Sequence, residues 1–102
     1  MNILATYDEA IERTLYTAED IARAIDLSVE ASDWQGVGAL AHKLKSSART
    51  VGAMELGDRC AELETQGRAD NAEAVRAGHP VFRQERARVA QALREALGTG
   101  AG

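Results

Sequence analysis

His42 stands in the stretch AHKLKSSART, residues 41–50, three residues ahead of Lys45 and seven ahead of Arg49. A neutral imidazole nitrogen is a nucleophile near neutral pH, and a lysine one helical turn away can hold a phosphoryl group by charge. The segment offers no carboxylate that would complete a catalytic triad. The chemistry available is therefore acceptance of a group, and it depends on which way the histidine points.

Helical geometry answers that question. At about 100° per residue, Val37, Leu40, Ala41, Leu44, Ala48 and Val51 fall in one sector, which must be the buried stripe. His42 lies about 140° from the middle of that stripe, so it is expected in solvent. Its neighbours one or two turns away are Gly38, Ala39, Lys45, Ser46 and Arg49. Three are small and two are cationic, a patch that would let another protein approach the ring while the cations meet a negative group. Gly38, Ala39, Ser46 and Arg49 are the expected docking residues.

The elements that must position this face are all helical. A capping side chain followed three residues later by an acid or amide recurs as Thr6/Glu9, Thr17/Asp20, Ser32/Gln35 and Asp70/Glu73. These pairs predict helices at 7–15, 18–31, 33–51 and 71–97, with another at 54–66 after Gly52. Apolar residues recur at three- and four-residue spacing as Leu4, Tyr7, Ile11, Leu15; Ile21, Ile25, Val29; Leu56, Cys60, Leu63; and Phe82, Val89, Leu93, Leu97. Short connections make consecutive helices antiparallel neighbours. The expectation is an all-α, up-and-down four-helix bundle with a short additional N-terminal helix. Pro80 should bend the last helix or divide it near Gly78, and the tail from residue 95, ending in GTGAG, should fray.

The 102 residues suit a single domain, 1–102, with one core. Composition agrees with helix, being 45% hydrophobic but only 4% aromatic. A net charge of -4, with no basic tract outside the His42 segment, argues against non-specific nucleic-acid binding as the main activity. No apolar run approaches the roughly 18 residues of a membrane span, and no basic leader is present. The lone Cys60 has no disulfide partner in the chain, which fits a cytoplasmic setting.

Taken with Gly52, Ala53 and LGDRCAELE from Leu56 to Glu64, the His42-x-x-Lys45 spacing resembles the histidine-containing phosphotransfer domain of phosphorelays, over nearly the whole chain. The resemblance implies that His42 is phosphorylated, accepting from a receiver-domain aspartate and passing the group to another receiver, while Lys45 helps to hold the phosphoryl oxygens. It implies response-regulator receiver domains, a hybrid sensor histidine kinase, or both, as partners, and no kinase active site in this chain. No cofactor is expected on the chain itself, the Mg2+ coming from the receiver's acidic pocket. Ser46 stands where the family commonly has glycine, a small-for-small change that bears on partner preference.

Two other readings share the motif or the face: the phosphotransfer domain of a chemotaxis-type histidine kinase, and an unphosphorylated helical adaptor. A carboxylate-bridged di-iron bundle is excluded, because it needs Glu-x-x-His pairs and the chain has none. Of the remaining candidates, His79 beside Pro80 reads as structural, Cys60 as a buried small hydrophobe, Trp34 as packing at the bundle end, and Lys43 as a solvated charge. A monomer is expected in isolation.

Overall fold

The computed structural model describes the backbone of residues 3–101 and the side chains of Arg13 and of residues 16–96. Four helices account for almost all of it: α1 (Ile3–Glu30), α2 (Trp34–Thr50), α3 (Met54–Arg68) and α4 (Ala72–Ala101). Each packs on its neighbours in chain order and α4 closes the ring against α1, giving an up-and-down bundle. Ion pairs fix the antiparallel sense, with Asp26 against His79 and Glu19 against Arg94.

The additional N-terminal helix does not exist as a separate element, since 7–15 and 18–31 lie in one continuous α1. Thr17, expected to cap the second of them, instead donates its hydroxyl to the Arg13 carbonyl at 3.0 Å. A threonine can make this bond back to the preceding turn without ending the helix, which is why its cap signature misleads. The stripe Leu4, Tyr7, Ile11, Leu15 and the terminal Leu97 lie outside the described side chains.

All three turns are built alike. Ser32, Gly52 and Asp70 take positive φ of 56°, 82° and 52°. In each turn the next residue's N–H reaches back five residues, Asp33 to Ser28, Ala53 to Ala48 and Asn71 to Gln66, at 2.8, 2.8 and 3.0 Å. This is the left-handed helix stop in which the residue after the turn satisfies a carbonyl of the last turn. That same residue then starts the next helix: Asp33 accepts from the Gly36 N–H and Asn71 from the Ala74 N–H. The expected caps Ser32 and Asp70 are thus each one residue early, because the left-handed position falls to them and capping passes to their successors.

The core is formed by Ala22 and Ile25 of α1, Val37, Ala41, Leu44 and Ala48 of α2, Leu56, Cys60 and Leu63 of α3, and Val75 and Phe82 of α4. Helix α4 is not divided at Pro80, which lies exposed inside it. The backbone stays helical through GTGA to Ala101. Among the described residues, no helix is long and apolar enough to cross a membrane.

One contact decides how α2 meets α3. A Cβ on Gly67 would lie 2.6 Å from the Trp34 carbonyl oxygen and 2.7 Å from the Gly38 nitrogen, and a Cβ on Gly38 would lie 3.1 Å from the Arg68 nitrogen. Two glycines therefore let the backbones touch. His42 is one turn beyond Gly38 on α2, and Glu64 is one turn before Gly67 on α3.

Candidate functional site

At that crossing Glu64 becomes the centre of the site. Its carboxylate is buried, with a side chain only 10% exposed, and it meets three donors. Lys45 Nζ lies 2.6 Å from Oε1, while His42 Nδ1 and Arg68 Nη1 lie 3.0 and 2.9 Å from Oε2. A carboxylate taken from water needs such partners. The hydrogen bond from Lys45 holds its carboxyl below the ordinary value of 4.5, helped by His42 and by the charge of Arg68, against burial, which pushes the other way.

An ionised carboxylate only accepts hydrogen bonds, so the imidazole must present its N–H at Nδ1. The lone pair then sits on Nε2. The His42 side chain is 55% exposed, as its place on the helix predicts, and the ring is gripped at Nδ1 while Nε2 makes no hydrogen bond among the described residues.

The depressed Glu64 carboxyl carries a pH dependence. A carboxyl lowered by folding contributes stability above its unfolded value and loses that contribution as the pH falls through the lower, folded value. Side-chain 13C NMR is expected to place the Glu64 midpoint below 4.5; a midpoint at or above 4.5 would mean that Lys45 does not hold it down.

The other expected site residues divide. Lys45 is 21% exposed and reaches Glu64 across the helix interface. Ala39, Ser46 and Arg49 are exposed on α2, and the Arg49 stem lies over Gly57 of α3. Gly38 is a correction: it is buried against Glu64 and Arg68 and offers no docking surface, its smallness being used up by the helix contact. Lys43 is exposed. Cys60 is buried and its thiol is pushed up to about 12 by that burial, which leaves it unreactive.

His79 is engaged elsewhere. Its Nε2 lies 2.7 Å from Asp26 Oδ1, Arg86 binds the same carboxylate at 2.9 Å, and the ring stacks on Phe82. It ties α4 to α1. Trp34 closes the end of the bundle under the Arg76 guanidinium, 4.9 Å from the ring centroid. Among the described residues, no three His, Cys, Asp or Glu side chains are grouped to hold a metal ion.

The sequence points to partners for His42 on its own helix, so Glu64 stands only as the end of the LGDRCAELE stretch and Arg68 is not singled out. A signal was present, because Glu64 falls four residues after Cys60 and next to Leu63, on the apolar side of α3. An acid there needs a buried partner.

Comparison with known proteins identifies the family and the fold. The Hpt domain matches residues 9–99. Among solved structures, the histidine-containing phosphotransfer protein B (HptB) of Pseudomonas aeruginosa PAO1 is similar in fold, with a TM-score of 0.87 at 22% identity over 95% of this chain and 84% of that one. No curated protein matches the sequence. With nine-tenths of its length covered, the chain belongs to the Hpt domain family, the histidine phosphotransfer proteins of phosphorelays.

Proposed function

We propose that His42 is the phosphoryl carrier, taking the group at Nε2 from the aspartyl phosphate of one receiver domain and giving it to the aspartate of another. The observation that carries this reading is that Nδ1 is bound to a buried carboxylate while the side chain as a whole is more than half exposed. In the forward step the Nε2 lone pair forms the N–P bond while the P–O bond to the donor aspartate breaks, its electron pair leaving on that carboxylate. The ring keeps its Nδ1 proton and gains positive charge, which Glu64 faces directly. The onward step reverses this order, the N–P electron pair returning to Nε2.

Lys45 acts twice in this reading. One N–H holds Glu64 at 2.6 Å, and its two remaining donors are available to phosphoryl oxygens. The Mg2+ belongs to the receiver's acidic pocket, and the chain works as a cytoplasmic monomer without kinase chemistry of its own. Ala39, Ser46 and Arg49 form the docking surface around the ring, where small side chains admit a flat partner and the arginine meets its acidic rim. A receiver supplied by a hybrid sensor kinase and one supplied by a response regulator would use this same face in turn.

Incubation with receiver domains carrying labelled aspartyl phosphate tests the reading. Label should pass to this chain and be acid-labile and alkali-stable, as a phosphoramidate is. Alkali-labile label would place the group on a carboxyl and refute the reading; no label from any receiver of the same cell would favour an adaptor that binds without transfer.

A further inference from the structure

We propose that Arg68 is a second phosphoryl-anchoring side chain, held on Glu64 while His42 is unmodified and released to the phosphoryl group once it arrives. The inference rests on His42 being the carrier. Its basis is the sharing of one oxygen. Arg68 Nη1 and His42 Nδ1 meet at Glu64 Oε2 at 2.9 and 3.0 Å, so the guanidinium lies no more than about 6 Å from the imidazole.

Charge gives the direction of the movement. Lys45 already neutralises Glu64 through Oε1, and Arg68 adds a second cation to a single carboxylate. With neutral His42 the cluster therefore carries one formal positive charge in excess. A phosphoryl group on Nε2 brings up to two negative charges to the solvent side of the ring, and the cation in excess is drawn to it. A guanidinium is suited to this, because its fork pairs two oxygens of a phosphoryl group at once.

Packing decides which cation moves. Lys45 is enclosed, 21% exposed, whereas the Arg68 side chain is 57% exposed at the last turn of α3. The Arg68 backbone is pinned meanwhile, its carbonyl accepting from Gln35 Nε2 at 3.2 Å and its nitrogen lying against Gly38. The rearrangement is then a side-chain rotation over a fixed helix end. A purely structural alternative exists, since a cation in the last turn of a helix also complements its dipole.

The test uses the full chain and one phosphorylated receiver, with the equilibrium division of label between the two proteins as the readout. Anchoring stabilises the phosphorylated state, so Arg68→Ala should shift label toward the receiver by about fivefold, a new charged hydrogen bond less the exposed ion pair given up. Arg68→Lys should recover part of that shift. In the wild type, the Arg68 Nε resonance in 15N NMR should move on phosphorylation, and it should stay in place in His42→Gln. An unchanged division in Arg68→Ala, or an Arg68 signal that ignores phosphorylation, overturns the proposal and leaves the dipole role, which would alter melting temperature alone. Wild-type protein that takes no label at His42 overturns the carrier reading itself, and this inference with it.

Discussion

Replacing His42 by glutamine should leave a folded protein that accepts no phosphoryl group. The side chain is more than half exposed, and its hydrogen bond to Glu64 is the tertiary bond at stake. A glutamine amide can donate to the same carboxylate, yet it has no basic lone pair to attack phosphorus. Transfer from a labelled receiver should fall to background. Exposed substitutions of this kind change stability by within about 0.5 kcal/mol, so the melting temperature should move by no more than about 4 °C. The other histidine provides the control. His79 is largely enclosed and bound to Asp26, so histidine-type label persisting in His42→Gln would place the acceptor where the fold gives no access.

Gly67→Ala should damage stability and chemistry together. The new methyl would lie 2.6 Å from the Trp34 carbonyl and 2.7 Å from the Gly38 nitrogen, and these are backbone atoms that cannot rotate aside. Helices α2 and α3 must separate, at a cost of about 2–3 kcal/mol for overpacking. For a domain of this size that lowers the melting temperature by about 10 °C or more. Separation also carries Glu64 away from His42, whose bond spans the same interface at 3.0 Å. Transfer should therefore slow at temperatures where the variant is still folded by circular dichroism. A variant that melts as the wild type does would show that the backbones are not in contact at Gly38 and Gly67.

Periodicity within one helix placed His42 in solvent and its stripe in the core; Val37, Ala41, Leu44 and Ala48 are buried as expected, while Leu40 and Val51 at the stripe's edges are only half-buried. What it could not supply was anything set by the relation between helices. Gly38 looked like a clearing beside the histidine until α3 was seen to occupy it, and Glu64 looked like part of a motif until α2 supplied its partners. Local signals also failed where one residue type serves two purposes. Thr17 can cap a helix or bond back within one, and Ser32 and Asp70 can cap or take a left-handed turn; the choice falls to the packing of whole helices.

Only nine residues join the four helices, three at each turn, with hydrogen bonds running from every turn into the helices on either side. Among the described residues no loop is long enough to be reshaped as a reading head, the usual place where folds store their specificity. Whatever distinguishes one partner from another must be inscribed on rigid helix faces. On the proposed docking surface, divergence in partner choice would then proceed through single substitutions at positions such as Ala39, Ser46 and Arg49, and exchange of connecting segments would have nothing to carry across.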